Sequence, residues 1–214
     1  MVETVQGEGG VVEVHEEFLK EAEALCRAHD ALFIIDEIQC GLGRTGHFFA
    51  FTRLGLKPDV VLVAKPLAAG LPLAAIIASE KAAQAFSPGM HGSTFGGGPL
   101  QCRVALKFLE ILERPGFLEH VRDVGGYFRR QLETLQRELA IIREVRGQGL
   151  MVGAELSVPG DALAAGVLMN CTQEKVLRFL PPLIVERQHV DELIRVLRPI
   201  LAALPAGEKE GVPA

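Results

Sequence analysis

Apolar and polar positions in the first half of the chain follow two different periods. Residues 16–29 place apolar side chains at helical spacing, which predicts an amphipathic helix. Short runs that are almost entirely apolar follow at 32–35, 60–64 and 73–78, and such runs are typical of strands buried on both faces of a parallel sheet. A helix followed by these strands predicts an open α/β layer.

The second half of the chain has a different pattern. Pro99 suits the first position of a helix that runs to about Arg114, and residues 117–139 form a longer amphipathic pattern. Two strand-like segments, IIREVRG and LMVGAEL, come next, and a further helix is predicted at 189–203. The expected organisation is a large domain over 1–114, a smaller α+β domain over 115–205, and a disordered polar tail over 206–214.

Composition excludes several classes of protein. Hydrophobic residues make up 49% of the chain, which argues against disorder over most of its length. A net charge of −5 lacks the basic excess that is typical of nucleic-acid binders. No apolar run reaches the roughly 18 residues of a membrane span, and the N-terminus has no signal-peptide pattern. The four cysteines and six histidines lack metal-binding spacing, so we expect a cytoplasmic protein with reduced thiols and no metal site.

Two residues with complementary chemistry follow two of the predicted strands. Asp36 comes directly after the first strand and Lys65 after the second, and parallel strands present their carboxyl ends at one edge of a sheet. Pyridoxal phosphate requires a lysine to form a Schiff base and an acid to keep its ring nitrogen protonated. Partial burial would lower the pKa of that lysine. From these residues alone, an alternative stays open in which Lys65 extends into solvent and Asp36 caps a helix.

Five stretches of sequence occur in an order that resembles one enzyme family. They are VETVQGEGG (2–10), FIIDEIQCGLGRTG (33–46), VLVAKPLAAGLPLAA (61–75), HGSTFGGGPL (91–100) and VLRFLPPLIV (176–185). Together they resemble the class III, or ornithine-type, aminotransferases of the fold-type I pyridoxal-phosphate enzymes, and the resemblance extends to about residue 204. It implies an incomplete, mostly parallel large-domain sheet and a C-terminal α+β small domain.

The resemblance also implies how the cofactor is held. Lys65 corresponds to the Schiff-base lysine, Asp36 to the acid at the pyridine nitrogen, and Gln39 to the hydrogen-bond donor for the 3-oxygen. Thr94, assisted by Ser93, corresponds to the residue that reaches the cofactor phosphate of the partner subunit in a homodimer. Glycines beside a small hydroxyl group let backbone N–H groups approach a phosphate closely. Taken alone, HGSTFGGG is equally an ordinary loop. The alternative for Gln39 is a surface loop residue, which its neighbouring residues disfavour.

A second pair of residues is implied to bind substrate. Arg178 matches an arginine that binds the α-carboxylate of glutamate or 2-oxoglutarate through two parallel hydrogen bonds. Glu8 matches a glutamate that neutralises this arginine while the ω-amino substrate is bound. Arg178 as a purely structural ion-pair partner remains the alternative. Glu3 also matches a family glutamate, but we assign no role to it.

The implied activity is a ping-pong transfer of an amino group to 2-oxoglutarate, with Lys65 moving the proton as general base and acid. Residues 170–185 look most like the acetylornithine aminotransferases of arginine biosynthesis, so N-acetylornithine is the expected donor. Succinylornithine, ornithine and 4-aminobutyrate stay open as alternatives.

The sequence departs from the family pattern in several places. Thr4 replaces a proline, Gly98 replaces an asparagine, and residues 157–170 are fewer than usual. The family's N-terminal half, with a phosphate loop and an aromatic that stacks on the cofactor, has no counterpart here. An inactive fragment, or half of a split enzyme that needs a partner chain, is therefore a second hypothesis, and we expect this chain alone to bind cofactor weakly or not at all. A nucleotide-binding loop at GLGRTG is disfavoured, because it lacks the last glycine of that motif and does not directly follow a strand.

Overall fold

A computed structural model describes residues 1–159 and 169–204 of the chain. The expected disordered tail and most of the short segment at 157–170 lie outside these residues. The backbone contacts divide the chain into two compact units, which we call unit 1 and unit 2. Unit 1 comprises Met1–Val5 and Glu13–His120, and unit 2 comprises Gln6–Val12 and Val121–Ala214.

The described helices and strands fall close to the predicted ones. In chain order the first elements are β1 (Val2–Glu3), β2 (Val5–Gln6), β3 (Val12–Glu13), α1 (Glu16–Ala28), β4 (Ile34–Asp36), β5 (Val60–Val63), β6 (Ala75–Ala78), α2 (Glu80–Ala83) and α3 (Pro99–Leu112). The remaining elements are α4 (Phe117–Glu138), β7 (Ile142–Gln148), β8 (Met151–Leu156), β9 (Asn170–Thr172), β10 (Val176–Phe179) and α5 (Arg187–Ala203). Two 3₁₀ helices lie at Ala50–Leu54 and Lys65–Ala68.

The sheet of unit 1 confirms the prediction of a mostly parallel α/β layer. Its strand order is β1-β4-β5-β6, and β1, β4 and β5 run parallel. Strand β6 pairs with β5 in the antiparallel direction. Asp36 lies in register with Glu3 on one side and with Leu62 on the other, so the ends of β4 and β5 are side by side.

Two apolar clusters hold the helices of unit 1 against this sheet. Leu19 of α1 is fully buried with Phe33 and Ile35 from the β4 region. In the second cluster, Leu112 of α3 packs with Val61 and other side chains of β5 and the following 3₁₀ helix. Helix α3 begins at Pro99 as predicted, because proline has no backbone N–H to satisfy at the first helical position.

Unit 2 is an α+β arrangement built on a separate antiparallel sheet. Its strand order is β7-β8-β10-β9. Helix α4 buries Phe128, whose ring meets that of Phe179 from β10 at 5.2 Å between centroids. Helix α5 buries one apolar side, formed by Val190, Ile194, Leu197 and Leu201.

The short segment 6–12 belongs to unit 2 although it precedes most of unit 1 in the chain. Val11 is fully buried, and a Cβ placed on Gly153 of β8 would lie 3.1 Å from the Cβ of Val11. Arg146 Nε donates to the Gly10 carbonyl at 3.0 Å, and Gln173 Nε2 donates to the Glu8 carbonyl at 3.0 Å. These contacts fix the backbone on either side of Glu8.

Candidate active site

Asp36 is the last residue of β4, so the strand carries its carboxylate to the carboxyl edge of the sheet. Its Oδ1 atom accepts a hydrogen bond from the Ile38 backbone N–H at 2.9 Å. The Glu37 N–H donates to the Leu62 carbonyl at 2.9 Å, which extends the pairing with β5 one residue further. Asp36 is half-buried and is held in place by the turn that follows it.

Lys65 follows β5 at the same edge and begins a 3₁₀ helix. Its φ angle is +27°, a value that is costly for a residue with a Cβ atom. Such backbone strain is concentrated at functional positions. Lys65 is exposed, so the described residues of this chain do not supply the desolvation that the sequence led us to expect.

The other predicted cofactor residues lie in two different settings. Gln39 is buried, with 8% of its surface exposed, in the turn after β4. Ser93 and Thr94 are exposed in the segment before α3, where Ser93 Oγ accepts a hydrogen bond from the Gly96 N–H at 2.9 Å. Asp36, Gln39 and Lys65 thus follow adjacent strands, and the two hydroxyl residues belong to a separate exposed segment of unit 1.

The predicted substrate residues form a direct ion pair within unit 2. Arg178 lies on β10 opposite Gly153, and its side chain is 10% exposed. Its Nη1 atom lies 2.7 Å from Glu8 Oε1, and the Glu8 side chain is 74% exposed. Because Arg178 is largely buried, loss of Glu8 with no replacement would leave this guanidinium without its carboxylate, which is costly. Glu8 is the exposed partner, so a carboxylate arriving from solvent can take its place and keep Arg178 paired.

Glu37, next to Asp36, is a buried carboxyl group that the sequence interpretation missed. Its two oxygens accept hydrogen bonds from the Ala50 and Phe51 N–H groups, each at 3.0 Å, at the start of a 3₁₀ helix. Burial, with a smaller contribution from the neighbouring Asp36 carboxylate, raises the pKa of Glu37 to about 7, although the hydrogen bonds from Ala50 and Phe51 act to lower it. Successive residues of an extended chain point to opposite sides. The adjacent acids Asp36 and Glu37 were therefore a sequence signal that one of the two carboxyl groups could be enclosed.

Thr4, which departs from the family pattern, contacts the buried Cys40 in the turn that follows β4. Its Oγ1 atom lies 3.6 Å from Cys40 Sγ, and both residues are buried. Burial, together with the nearby Glu37 carboxyl group, raises the pKa of the Cys40 thiol to about 12. Cys40 is therefore held as a neutral thiol.

Two other classes of site were sought in the described part of the chain. Residues 1–159 and 169–204 contain no group of three or more histidine, cysteine, aspartate or glutamate side chains arranged to hold a metal ion. No helix within the same ranges is long and apolar enough to span a bilayer.

The chain is thus an α/β protein with an open sheet. At the carboxyl edge of that sheet, an acid ends one strand and a lysine follows the adjacent parallel strand. The sequence model of the family described as Aminotransferase class-III matches residues 1–201. The chain therefore belongs to the class III aminotransferase family.

Curated relatives are similar over nearly the whole of this chain. The acetylornithine aminotransferase of Aquifex aeolicus (strain VF5) is 48% identical over 206 residues, which cover 94% of this chain and 53% of that protein. The acetylornithine aminotransferase of Methanocaldococcus jannaschii is 47% identical over 202 residues, with 92% and 51% covered. The chain thus spans about half the length of the curated relatives it matches.

Solved structures show the same relationship. The acetylornithine aminotransferase from Elizabethkingia anophelis matches with a TM-score of 0.85 and 32% identity, over 95% of this chain and 53% of that one. The ornithine aminotransferase from Toxoplasma gondii matches with a TM-score of 0.87 and 34% identity, over 94% and 50%. The latter structure is described as having partial occupancy of PLP at its active site.

Proposed function

We propose that this chain carries the lysine-bearing part of a pyridoxal-phosphate-dependent aminotransferase that transfers the amino group of N-acetylornithine to 2-oxoglutarate, in arginine biosynthesis. The observation that carries the proposal is the placement of Asp36 at the end of β4 and of Lys65 two residues after the adjacent parallel strand β5. The acetylornithine aminotransferases among its relatives support N-acetylornithine over ornithine and 4-aminobutyrate as the donor.

The residues at this edge fit the cofactor in type and position. Lys65 presents an exposed amine that would bind the cofactor aldehyde, Asp36 an anchored carboxylate for the ring nitrogen, and Gln39 an amide for the ring oxygen. When bound, pyridoxal phosphate supplies an electron sink for the carbon that loses a proton. The Lys65 amine, once free, takes up that proton as a general base and returns it as a general acid.

Arg178 and Glu8 are proposed to let the protein handle two dissimilar substrates in a ping-pong cycle. Arg178 would bind a carboxylate of 2-oxoglutarate in the second half-reaction, since a guanidinium matches a carboxylate with two parallel hydrogen bonds. Glu8 would occupy Arg178 in the first half-reaction, as it does in the structure. The exposure of Glu8 supports this exchange, because a substrate carboxylate can replace it while the buried Arg178 guanidinium stays paired.

Ser93 and Thr94 are proposed to act on the partner subunit of a homodimer. Both are exposed, and their segment is rich in glycine, so its N–H groups can approach a phosphate. This part of the proposal rests on the family resemblance and on their exposure.

A second candidate function is half of a split aminotransferase, or an inactive fragment. Two observations favour it: the chain spans about half the length of its curated relatives, and Lys65 is exposed rather than enclosed. Both candidates assign the same residues, and they differ in whether this chain holds the cofactor without further polypeptide.

Borohydride reduction in the presence of pyridoxal phosphate tests the assignment of Lys65. Reduction traps the cofactor on any lysine that has bound it, and peptide mass spectrometry then locates the label. We expect label on Lys65 in excess of label on Lys57, which is also exposed in unit 1, because Lys65 follows β5 at the sheet edge where β4 ends in Asp36, whereas Lys57 precedes β5. Asp36→Asn should reduce the Lys65 label several-fold and leave Lys57 unchanged. Equal labelling of the two lysines would show that this edge of the sheet does not select the cofactor.

A further inference from the structure

The backbone that carries Glu8 is attached to the antiparallel sheet of unit 2 by two side chains. Gln173, in the turn between β9 and β10, donates from Nε2 to the Glu8 carbonyl at 3.0 Å. Arg146 of β7 donates from Nε to the Gly10 carbonyl, also at 3.0 Å. Segment 6–12 and both donors belong to unit 2, so these hydrogen bonds lie within one compact body.

The Arg146 side of this attachment is held by several contacts. The Arg146 side chain is 15% exposed and forms ion pairs with Glu144 and Glu155, each at 2.6 Å. A Cβ on Gly10 would lie 3.2 Å from Arg146 Nη2, and Gly10 has a φ angle of +99°, so a larger residue would be both strained and crowded there. The chain that follows Glu8 therefore has little freedom to move.

The Gln173 side of the attachment depends on an unusual turn. Gln173 and Glu174 have φ angles of +49° and +59°, which are uncommon for residues with a Cβ atom. Neither is glycine, asparagine or aspartate, the residues that favour this conformation in hairpin turns. Such strain persists where surrounding contacts hold it, and it is concentrated at functional positions. Here the turn places the Gln173 amide against the Glu8 carbonyl.

This attachment affects the competition for Arg178. Glu8 Oε1 lies 2.7 Å from Arg178 Nη1, and a substrate carboxylate would have to displace it. A competing group on the same chain acts at an effective concentration that rises as its point of attachment is held closer to the target. The Gln173 hydrogen bond is made to the carbonyl of Glu8 itself, so it limits the positions that the Glu8 side chain can reach once it is displaced.

We propose that Gln173 is a positioning residue for the exchange of carboxylates at Arg178. By holding the Glu8 backbone, Gln173 strengthens the competition of Glu8 against substrate and so sets how much carboxylate is needed to displace it. The backbone stays fixed during the exchange, and only the Glu8 side chain, which is 74% exposed, changes position. The inference rests on the proposed role of Arg178 and goes beyond it by adding a residue outside the predicted pair.

Titration of the chain with glutarate tests the inference. Glutarate carries two carboxylates and no carbonyl group, so it binds without reacting with Lys65. Its dissociation constant is measured by NMR from the side-chain N–H signals of Arg178. Glu8→Gln should lower that constant about tenfold, because it removes the competing charge, and Gln173→Met should lower it about threefold, because it loosens the attachment of that charge.

Two further comparisons separate positioning from a general loss of structure. Gln136→Met removes a hydrogen bond of the same kind, from Nε2 to the Arg143 carbonyl at 2.7 Å, and should leave glutarate binding unchanged. Arg143 lies in β7, at the opposite edge of the sheet from β9. In the Glu8→Gln background, Gln173→Met should have no further effect, because the group that Gln173 positions is already gone.

The outcomes distinguish this inference from the proposed function. A dissociation constant that Gln173→Met leaves unchanged or raises, or that it lowers as much in the Glu8→Gln background, would overturn the inference and leave the role of Arg178 standing. Glutarate binding that persists in Arg178→Gln, or that is absent even from the Glu8→Gln variant, would refute that role and the inference with it.

Discussion

Glu37 shows how one side chain links the stability of unit 1 to the position of Asp36. Its carboxyl group is fully buried and accepts two backbone hydrogen bonds at the start of the Ala50–Leu54 helix. The close approach of Gly41 completes its surroundings, since a Cβ there would lie 2.7 Å from Glu37 Oε2. Any change in the protonation of Glu37 therefore acts on the turn that carries Asp36 and Gln39.

The raised pKa of Glu37 predicts a pH dependence of stability. With a pKa of about 7 in the folded chain and 4.5 in the unfolded chain, its contribution is fully present below pH 4.5 and is lost as the pH rises through 7. The loss is about 3 kcal/mol at about 1.4 kcal/mol per pKa unit. Glu37→Gln should flatten the fall in the free energy of unfolding over that interval, measured by urea denaturation at several pH values. Glu17→Gln, on the exposed face of α1, should keep the original slope; equal slopes in all three proteins would refute the assignment.

At the scale of the residue, the sequence predicted that Asp36 and Lys65 lie at the ends of adjacent strands, and it missed the burial of Glu37. The order of residues in a strand predicts that Asp36 and Glu37 point to opposite faces, but not which face is enclosed. That depends on Ala50 and Phe51, which are distant in sequence and come to Glu37 only in the fold. The ion pair of Glu8 with Arg178 was accessible only through the family resemblance, for the same reason.

At the scale of an element, helix α4 contains two adjacent glycines, Gly125 and Gly126, that have very different space around them. A Cβ on Gly125 would lie 2.1 Å from the Gly149 carbonyl oxygen, a backbone atom that cannot move aside. A Cβ on Gly126 would meet only the end of the Arg130 side chain, at 3.3 Å. The first glycine lets the helix approach the turn between β7 and β8, and the second has no such role.

These distances predict opposite effects of two alanine substitutions. Gly125→Ala should lower the free energy of unfolding by about 3 kcal/mol or more, because the helix must shift away from the turn. Gly126→Ala should raise it by about 0.5–1 kcal/mol, because alanine favours the helix over glycine. Thermal or urea denaturation of both variants gives the comparison. A Gly125→Ala protein as stable as the unchanged one would contradict the close contact.

The helices and strands themselves were largely predictable from periodicity and turn residues. Helices α1, α3 and α4 and strands β4 and β5 fall within two residues of the predicted boundaries, because each has a strong apolar pattern. The antiparallel direction of β6 was not predictable, because its apolar run is compatible with either direction. The burial of Val11 and its positive φ angle of +57° were also not predictable from the sequence, because Val11 packs against Gly153 in a strand that is distant in the chain.

At the scale of the whole molecule, we expect catalysis to require more polypeptide than this chain. The chain alone should give no measurable conversion of N-acetylornithine and 2-oxoglutarate, because Lys65 is exposed to solvent. Its complex with the unmatched half of the Aquifex aeolicus relative should form glutamate, with N-acetylornithine preferred over ornithine and 4-aminobutyrate. Glutamate formation is measured with and without Lys65→Ala, which should abolish it. Full turnover by the isolated chain would disprove the dependence on a second polypeptide.

The contact between Val11 and Gly153 has a consequence for the evolution of this chain. The two residues belong to one compact unit, yet almost all of the other unit lies between them in the sequence. Recombination between two related genes near codon 120 would give a protein with position 11 from one parent and position 153 from the other. Any parent with a larger side chain at position 153 would give a hybrid in which the two overlap. We therefore expect recombination at such a point to give a stable protein when the two parents have residues of the same size at positions 11 and 153.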